Sequence, residues 1–298
     1  MKKKLTIIML ALCLVSCLTL ASVLAIAAQS FTDVATEEEL FTAVRSGGGN
    51  VRLTDNITVE RGTLPINYTT EIDLNGHTLT FREPGMVSVA RYNNGGKEVM
   101  STFPVGIAVN ANFTLSDESK KGKIDVWGDN STGIYVGPTG DLSMWGGTIT
   151  NSSVTIPDGS EETPKYTTSV GIFILRGKVS MTSGSRIENE SQAGVMVCGG
   201  TFSMVGGRTV ISGCGIQSGY GSYYYGGGVH VTSEKDENGN TVLGSFALSM
   251  GARIENCSAF NGGGVYLSGQ SVFTINAGSI TGCKANQGGG VYVSSAGK

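Results

Sequence analysis

The chain has 298 residues with 45 glycines, 6 prolines and only 15% charged residues. Apart from the three lysines at positions 2–4, it carries 24 acidic and 18 basic residues, which gives a formal net charge of −6. An anionic surface repels a phosphate backbone, so this balance excludes nucleic acid as an expected partner. The glycine-rich, proline-poor composition predicts one elongated domain.

The first 28 residues are predicted to be a signal peptide. Lys2–Lys4 precede an apolar run from Leu5 to Ala28, and Ala25-Ile26-Ala27 has the small–x–small form of a cleavage site. The run is also long enough to remain as an uncleaved membrane anchor. Cys17 ends a stretch that resembles a lipobox, but the apolar run continues past it. We expect export, with no membrane span after this segment.

Residues 31–50 are predicted to form a helical cap. Thr36 and Glu39 have the spacing of a capping box, and the glycines at 47–49 end the helix. Between them lies an apolar stripe made by Leu40, Phe41 and Val44. Such a helix would cover the open end of an apolar core.

Residues 51–298 contain an internal repeat. A glycine followed by an aliphatic–x–aliphatic triplet recurs at steps of 27, 38, 23, 34, 36 and 26 residues. The short steps agree on one period and the long steps carry insertions, which is typical of a solenoid. The recurring glycines are Gly106, Gly133, Gly171, Gly194, Gly228, Gly264 and Gly290.

Each repeat is interpreted as three short strands, because apolar residues alternate with a period of two. Pairs such as Ile134/Val136 mark the first strand. The second strand is marked by Leu142/Met144, Val179/Met181, Phe202/Met204, Leu248/Met250 and Phe273/Ile275, and the third by Ile149, Ile187, Ile211, Ile254 and Ile280. The predicted fold is all-β, a parallel β-helix with three strands per coil of about 25 residues and a short N-terminal capping helix.

Two ladders of equivalent residues follow the third strand. The first holds Asn151, Asn189 and Asn256, with Gly213 and Gly282 in two other repeats. The second is a cysteine ladder of Cys214, Cys257 and Cys283, while Cys198 stands in a different position. Neighbouring coils would bring these cysteines within disulfide range, so either one bridge or stacked free thiols is expected.

An apolar column is predicted on the outside of the first strand, between its inward aliphatics. We call it the outward column: Tyr135, Phe173, Met196, His230, Tyr266 and Tyr292. An insertion at 215–225 adds Tyr220, Tyr223, Tyr224 and Tyr225, and another lies at 153–169. Two interpretations remain open. The loops bury the column, or the aromatic rings form a platform for sugar rings or a protein partner.

Catalytic, metal and cofactor sites are not predicted. Asp125, Asp129 and Asp141 form no recognisable acid–base motif, and the two histidines, His77 and His230, are far apart. The stretch 235–240 lacks the spacing of an EF-hand and is better interpreted as a hairpin turn.

A family resemblance rests on three stretches: Gly263-Gly264-Val265, Gly289-Gly290-Val291 and Phe273-Thr274-Ile275-Asn276. They resemble the right-handed parallel β-helix of the pectate-lyase-like superfamily, and more closely the Gly-rich repeats of adhesin-like bacterial surface proteins and polymorphic outer-membrane proteins. The resemblance implies a secreted or cell-surface bacterial protein that recognises a glycan or a surface protein. The alternative it implies is a polysaccharide-degrading lyase or glycoside hydrolase.

The sequence ends at Lys298, barely one strand into a repeat. A β-helix without a cap offers an open strand edge. We therefore expect the β-helix to be incomplete at this end, and further coils or self-association to cover it.

Overall fold

The computed structural model describes residues 30–92, 97–153, 169–215 and 225–294. From Asp33 onward, the described residues form one compact unit. The predicted signal peptide, 1–28, and three of the tyrosines, Tyr220, Tyr223 and Tyr224, lie outside the described residues. In the described part, the chain is all-β with one helix and long parallel sheets. That part contains no helix both long and apolar enough to cross a membrane.

Helix α1 spans Glu37–Arg45 and begins as the sequence predicts. The backbone N–H of Glu39 donates to Thr36 Oγ1 at 3.2 Å, and the Glu39 carboxylate accepts from the Thr36 N–H at 3.2 Å. Both bonds of a capping box are therefore present. Leu40 and Val44 are buried in the main apolar core, so the helix covers part of that core.

Nine strands form the first sheet. From β2 onward each strand is parallel to its neighbour in the next repeat. The order is β1 (Thr32–Val34), β2 (Gly49–Leu53), β5 (Thr70–Asp73), β8 (Asn112–Asp117), β11 (Asp141–Gly146), β14 (Lys178–Thr182), β17 (Gly200–Val205), β22 (Gly244–Ser249) and β26 (Ser271–Asn276).

Sixteen strands form the second sheet. One half runs β27 (Ser279–Thr281), β23 (Arg253–Glu255), β18 (Val210–Ser212), β15 (Arg186–Glu188), β12 (Thr148–Thr150), β9 (Lys123–Val126) and β6 (Thr78–Tyr92). The other half runs β7 (Glu98–Val109), β10 (Thr132–Val136), β13 (Val170–Leu175), β16 (Ala193–Cys198), β19 (Val229–Thr232), β25 (Val265–Leu267) and β29 (Val291–Val293). The antiparallel pair β6–β7 joins the halves, while β3 (Ile57–Gly62) pairs with β6 and β4 (Leu64–Ile66) with β7.

Two small sheets complete the described strands. An antiparallel hairpin is made by β20 (Glu234–Lys235) and β21 (Thr241–Val242). The prediction of a hairpin turn at 235–240 is confirmed, since the backbone N–H groups of Asn238 and Asn240 donate to the Asp236 carboxylate across it. The other small sheet pairs β24 (Ser258–Asn261) in parallel with β28 (Lys284–Gln287).

The recurring glycines are explained by close packing. A Cβ built on Gly264 would lie 2.5 Å from the carbonyl oxygen of Gly290 and 2.5 Å from Cγ2 of Ile280. The equivalent positions are similarly tight, with Ile211 against Gly194 and Ile254 against Gly228. The glycine thus makes room for the third-strand isoleucine and the next repeat, which is why the two residue types recur together.

One predicted register is wrong. Phe246 and Leu248 pair with Phe273 and Ile275, so the inward pair of β22 is Phe246/Leu248 instead of Leu248/Met250. Met250 lies in the turn after the strand, at φ 53°, and is 70% exposed. Phe246 instead stacks on the Phe202 and Phe273 rings at 5.0 Å from each. A slip of two residues preserves the alternation, so the pattern alone could not detect it.

Four of the five residues of the predicted asparagine–glycine ladder lie in a left-handed turn, and Asn151 is the exception. Asn189, Gly213, Asn256 and Gly282 all have φ between 55° and 64°. Asparagine is among the few non-glycine residues that adopt this conformation readily, so the two types interchange at one position.

The next position holds the predicted cysteine ladder. The Ser258 N–H bonds the Cys214 carbonyl at 2.8 Å and the Lys284 N–H bonds that of Cys257 at 2.9 Å, as expected for stacked repeats. Cys214, Cys257, Cys283 and Cys198 are all free thiols. Hydrogen bonding between neighbouring thiols raises the pKa of both Cys257 and Cys283. Of the two expected outcomes, the structure contains the stack of free thiols.

Candidate functional site

The outward column forms in the predicted register. Strand pairing places Tyr135 beside Phe173, and Phe173 beside Met196. The column continues through His230 and Tyr266 to Tyr292 on consecutive parallel strands. Neighbouring parallel strands lie about 4.8 Å apart, so the side chains form one continuous row.

A hairpin that the sequence did not predict covers the first part of this row. We call it the cover hairpin, residues 85–92 of β6 and 98–105 of β7. Val89 and Phe103 pack on the column, and the Phe103 ring meets the Phe173 ring edge-on at 5.3 Å. Tyr135 and Phe173 are consequently only 6% and 7% exposed. The burial alternative is therefore right for these two residues, although the covering element is this hairpin.

The cover hairpin is held by arginines. Arg91 Nε donates to Glu234 Oε2 at 3.0 Å, and the Glu234 side chain is 6% exposed. Arg176 donates to the carbonyl oxygens of Lys235 and Ala90, at 2.7 and 3.2 Å, so it ties β20 to the cover hairpin. Glu234 is buried, so without the Arg91 guanidinium its charge would be left uncompensated. This ion pair and the two Arg176 hydrogen bonds hold the hairpin over the column.

Beyond the cover hairpin the column remains partly exposed. His230, Tyr266 and Tyr292 are joined there by Tyr225 from the insertion. Tyr266 stacks on Tyr225 at 4.7 Å and on Tyr292 at 5.6 Å, while His230 meets Tyr266 edge-on at 5.0 Å. We call these four residues the aromatic cluster. Of the nine residues predicted for the site, the structure brings these four together and leaves Tyr135 and Phe173 under the hairpin.

Two members of the aromatic cluster, His230 and Tyr266, have pKa values shifted away from the charged form. Burial, with a further contribution from the Arg91 charge, lowers the pKa of His230 to about 4. Burial, followed by the neighbouring Tyr225, raises the pKa of Tyr266. Tyrosine and neutral imidazole rings offer apolar faces and hydrogen-bonding edges, which suits recognition of an uncharged surface.

A cavity of about 240 Å³ lies between the cover hairpin and the sheet. Phe103, Phe173 and Met196 give it an apolar wall, while Asn130 and Gln192 add amide groups. The volume is slightly below the range usual for small-molecule pockets. Its position beside Met196 places it next to the aromatic cluster along the same column.

The acidic residues are engaged in structural contacts. Both oxygens of Asp125 accept hydrogen bonds, from Ser152 and from Trp127 Nε1. Glu190 is 2% exposed and hydrogen-bonded to Ser169. Burial, partly offset by that bond and reinforced by Asp125, raises the pKa of Glu190 to about 8. Over the described ranges no three His, Cys, Asp or Glu side chains are grouped so as to hold a metal ion.

Comparisons with protein-family models, with curated proteins and with solved structures found no match to this chain.

Proposed function

We propose that the chain is an exported bacterial surface protein of the right-handed parallel β-helix class, adhesin-like, which recognises a glycan through the aromatic cluster. The class is supported by parallel strands that pair repeat by repeat and by glycines packed against the next repeat. Export and surface location are supported by the leader pattern at 1–28.

The observation that carries the proposal is the exposure of the aromatic cluster. Apolar rows on a protein surface are usually covered, as Tyr135 and Phe173 are here. The side chains of Tyr266 and Tyr292, and of Tyr225 beside them, are instead partly exposed to solvent. The Tyr266 ring is stacked on the rings of Tyr225 and Tyr292, so the three present a preorganised amphipathic surface at little cost in side-chain entropy. Such a surface can stack on the C–H face of a sugar ring while the tyrosine hydroxyls bond its hydroxyl groups.

A glycan array and a cell-binding assay test the proposal. The parent protein should bind a defined set of glycans, and Tyr266→Ala should weaken that binding at least tenfold, about 1.4 kcal/mol. Tyr225→Ala should weaken it as well, because it removes the ring stacked on Tyr266. Circular dichroism establishes that each variant keeps its strands.

Tyr68→Ala is the matched control, since Tyr68 is 53% exposed and lies outside the cluster. Equal binding by the parent and both cluster variants would overturn the proposal. Binding that survives on glycan-free protein targets, but not on glycans, would identify a protein partner instead. Release of new reducing ends from polysaccharides would replace recognition with the polysaccharide-degrading alternative.

A further inference from the structure

The outward face of the nine-stranded sheet carries one feature that the aromatic cluster does not explain. Trp145 projects from β11 and is 56% exposed. The other tryptophan of the chain, Trp127, has its Nε1 bonded to Asp125 and the Arg82 guanidinium 5.4 Å from its ring centre. Trp145 exposes a large aromatic surface on a sheet whose other outward positions are mostly small and polar.

Rows of hydroxyl groups surround this ring. Trp145 pairs with Ser116 on one side and Thr182 on the other. Two residues along β11, Ser143 begins a second row that strand pairing extends in both directions: Thr114, Ser143, Ser180 and Ser203. Because the strands are in register, these hydroxyls recur every 4.8 Å or so across the sheet.

The charges on this face nearly cancel, since three acids (Glu71, Asp73 and Asp141) stand against two bases (Arg52 and Lys178). Arg52 Nε donates to Asp73 at 3.0 Å, and Glu71 accepts from Ser116 Oγ at 2.9 Å. Asp141 and Lys178 are register neighbours on β11 and β14. A strongly charged ligand therefore meets little net charge of the opposite sign here, which favours an uncharged ligand.

The chemistry also distinguishes a glycan from a protein partner. Stable protein interfaces have an apolar centre of several residues, and small polar side chains surround Trp145 instead. A sugar chain presents one apolar C–H face per ring, framed by hydroxyls, and a linear chain repeats that pattern at regular intervals. A single aromatic ring within regular hydroxyl rows matches those features.

We propose that the face around Trp145 is a second binding surface, independent of the aromatic cluster, for a linear uncharged polysaccharide lying across the strands. Trp145 stacks on one sugar ring, and the rows of Ser116 and Ser143 bond hydroxyls of the same and neighbouring rings. The glycan of the aromatic cluster and this polymer bind on different sheets, so loss of one leaves the other intact.

The test is retention on three insoluble uncharged polysaccharides, cellulose, xylan and mannan, with polygalacturonate gel as the charged comparison. The parent should be retained on at least one of the three. Trp145→Ala should weaken that retention at least tenfold, and Trp145→Phe, which keeps a ring, should weaken it less. Met86→Ala, which truncates another exposed apolar side chain (64% exposed), should leave it unchanged.

Tyr266→Ala should retain the parent's affinity for the polymer, which separates this surface from the aromatic cluster. Near-equal retention of the parent and Trp145→Ala would overturn the proposal, as would failure of the parent to bind all three uncharged polymers. Retention on polygalacturonate alone would overturn the assignment to an uncharged ligand. Trp145 is exposed, so its truncation should leave the fold intact, and the far-ultraviolet circular dichroism spectrum checks this.

Discussion

Replacement of the buried acid Glu190 by glutamine should change how stability depends on pH. Glu190 is 2% exposed, next to Ser169 and near Asp125, and burial raises its pKa to about 8 from an ordinary value of 4.5. The folded protein therefore holds this carboxyl protonated at neutral pH, while the unfolded chain ionises it. Its contribution to stability is fully present below pH 4.5 and is lost as the pH rises toward 8.

The size of the effect follows from the two pKa values. Each pH unit between them costs about 1.4 kcal/mol, so at pH 7 the parent has lost about 3 kcal/mol relative to pH 4.5 through this group. A glutamine at position 190 cannot ionise and retains an amide able to bond Ser169. The Glu190→Gln variant should therefore lack this loss and unfold at a higher urea concentration than the parent at pH 7.

The measurement is urea unfolding followed by circular dichroism at pH 4.5, 5.5, 6.5 and 7.5. The difference in unfolding free energy between variant and parent should grow with pH across this range. Glu188→Gln is the matched control, because its carboxylate pairs with Arg186 near the surface and the variant keeps the buried acid. Parallel pH profiles for Glu190→Gln and the parent would refute the reasoning.

Three further predictions concern packing, turns and acid. Gly264→Ala should cost about 1–3 kcal/mol of unfolding free energy by overpacking, while Gly207→Ala, whose Cβ would meet nothing nearer than 3.7 Å, should be nearly neutral; equal urea midpoints would contradict this. Asn256→Ala should lose about 1–2 kcal/mol of unfolding free energy, because alanine is strained in the left-handed turn, and Asn256→Gly should lose less. Thermal unfolding measures both variants, and a lower midpoint for Asn256→Gly than for Asn256→Ala would contradict the prediction. In the Glu190→Gln background, acidification from pH 6.5 toward 4 should destabilise the protein, because His230 gains a proton in the unfolded chain but not in the folded protein. His230→Asn should flatten this dependence of stability on pH, and an unchanged dependence would exclude His230 as its source.

The repeat made much of the architecture predictable. Five of the seven recurring glycines pack against a third-strand isoleucine, whereas Gly106 packs against Val126. The joint spacing of glycine and isoleucine therefore predicts which residues stack, and the alternation predicts the outward column. Register failed at Leu248/Met250, where the β20–β21 hairpin between Gly228 and the next strand removed the constant spacing. Adjacent repeats fix register only when their lengths agree.

The cover hairpin could not be predicted in the same way. Both of its faces carry apolar residues, with Val89 buried, Phe103 partly buried, and Met86 and Met100 exposed, so alternation gives no contrast. The ion pair between Arg91 and Glu234 joins the hairpin to β20. These two residues are 143 positions apart, and nothing in the sequence links them. Trp145 was equally hidden, because the exposure of a single residue depends on its neighbours on other strands.

The central claim, that the aromatic cluster is the recognition surface, is tested most directly by nuclear magnetic resonance of protein labelled at its tyrosine rings. On addition of a glycan that binds on the array, the ring signals of Tyr225, Tyr266 and Tyr292 should shift together. Signals of Tyr68 and of Tyr135, which lies under the cover hairpin, should stay in place. Saturable binding that leaves the three cluster signals unmoved would contradict the account.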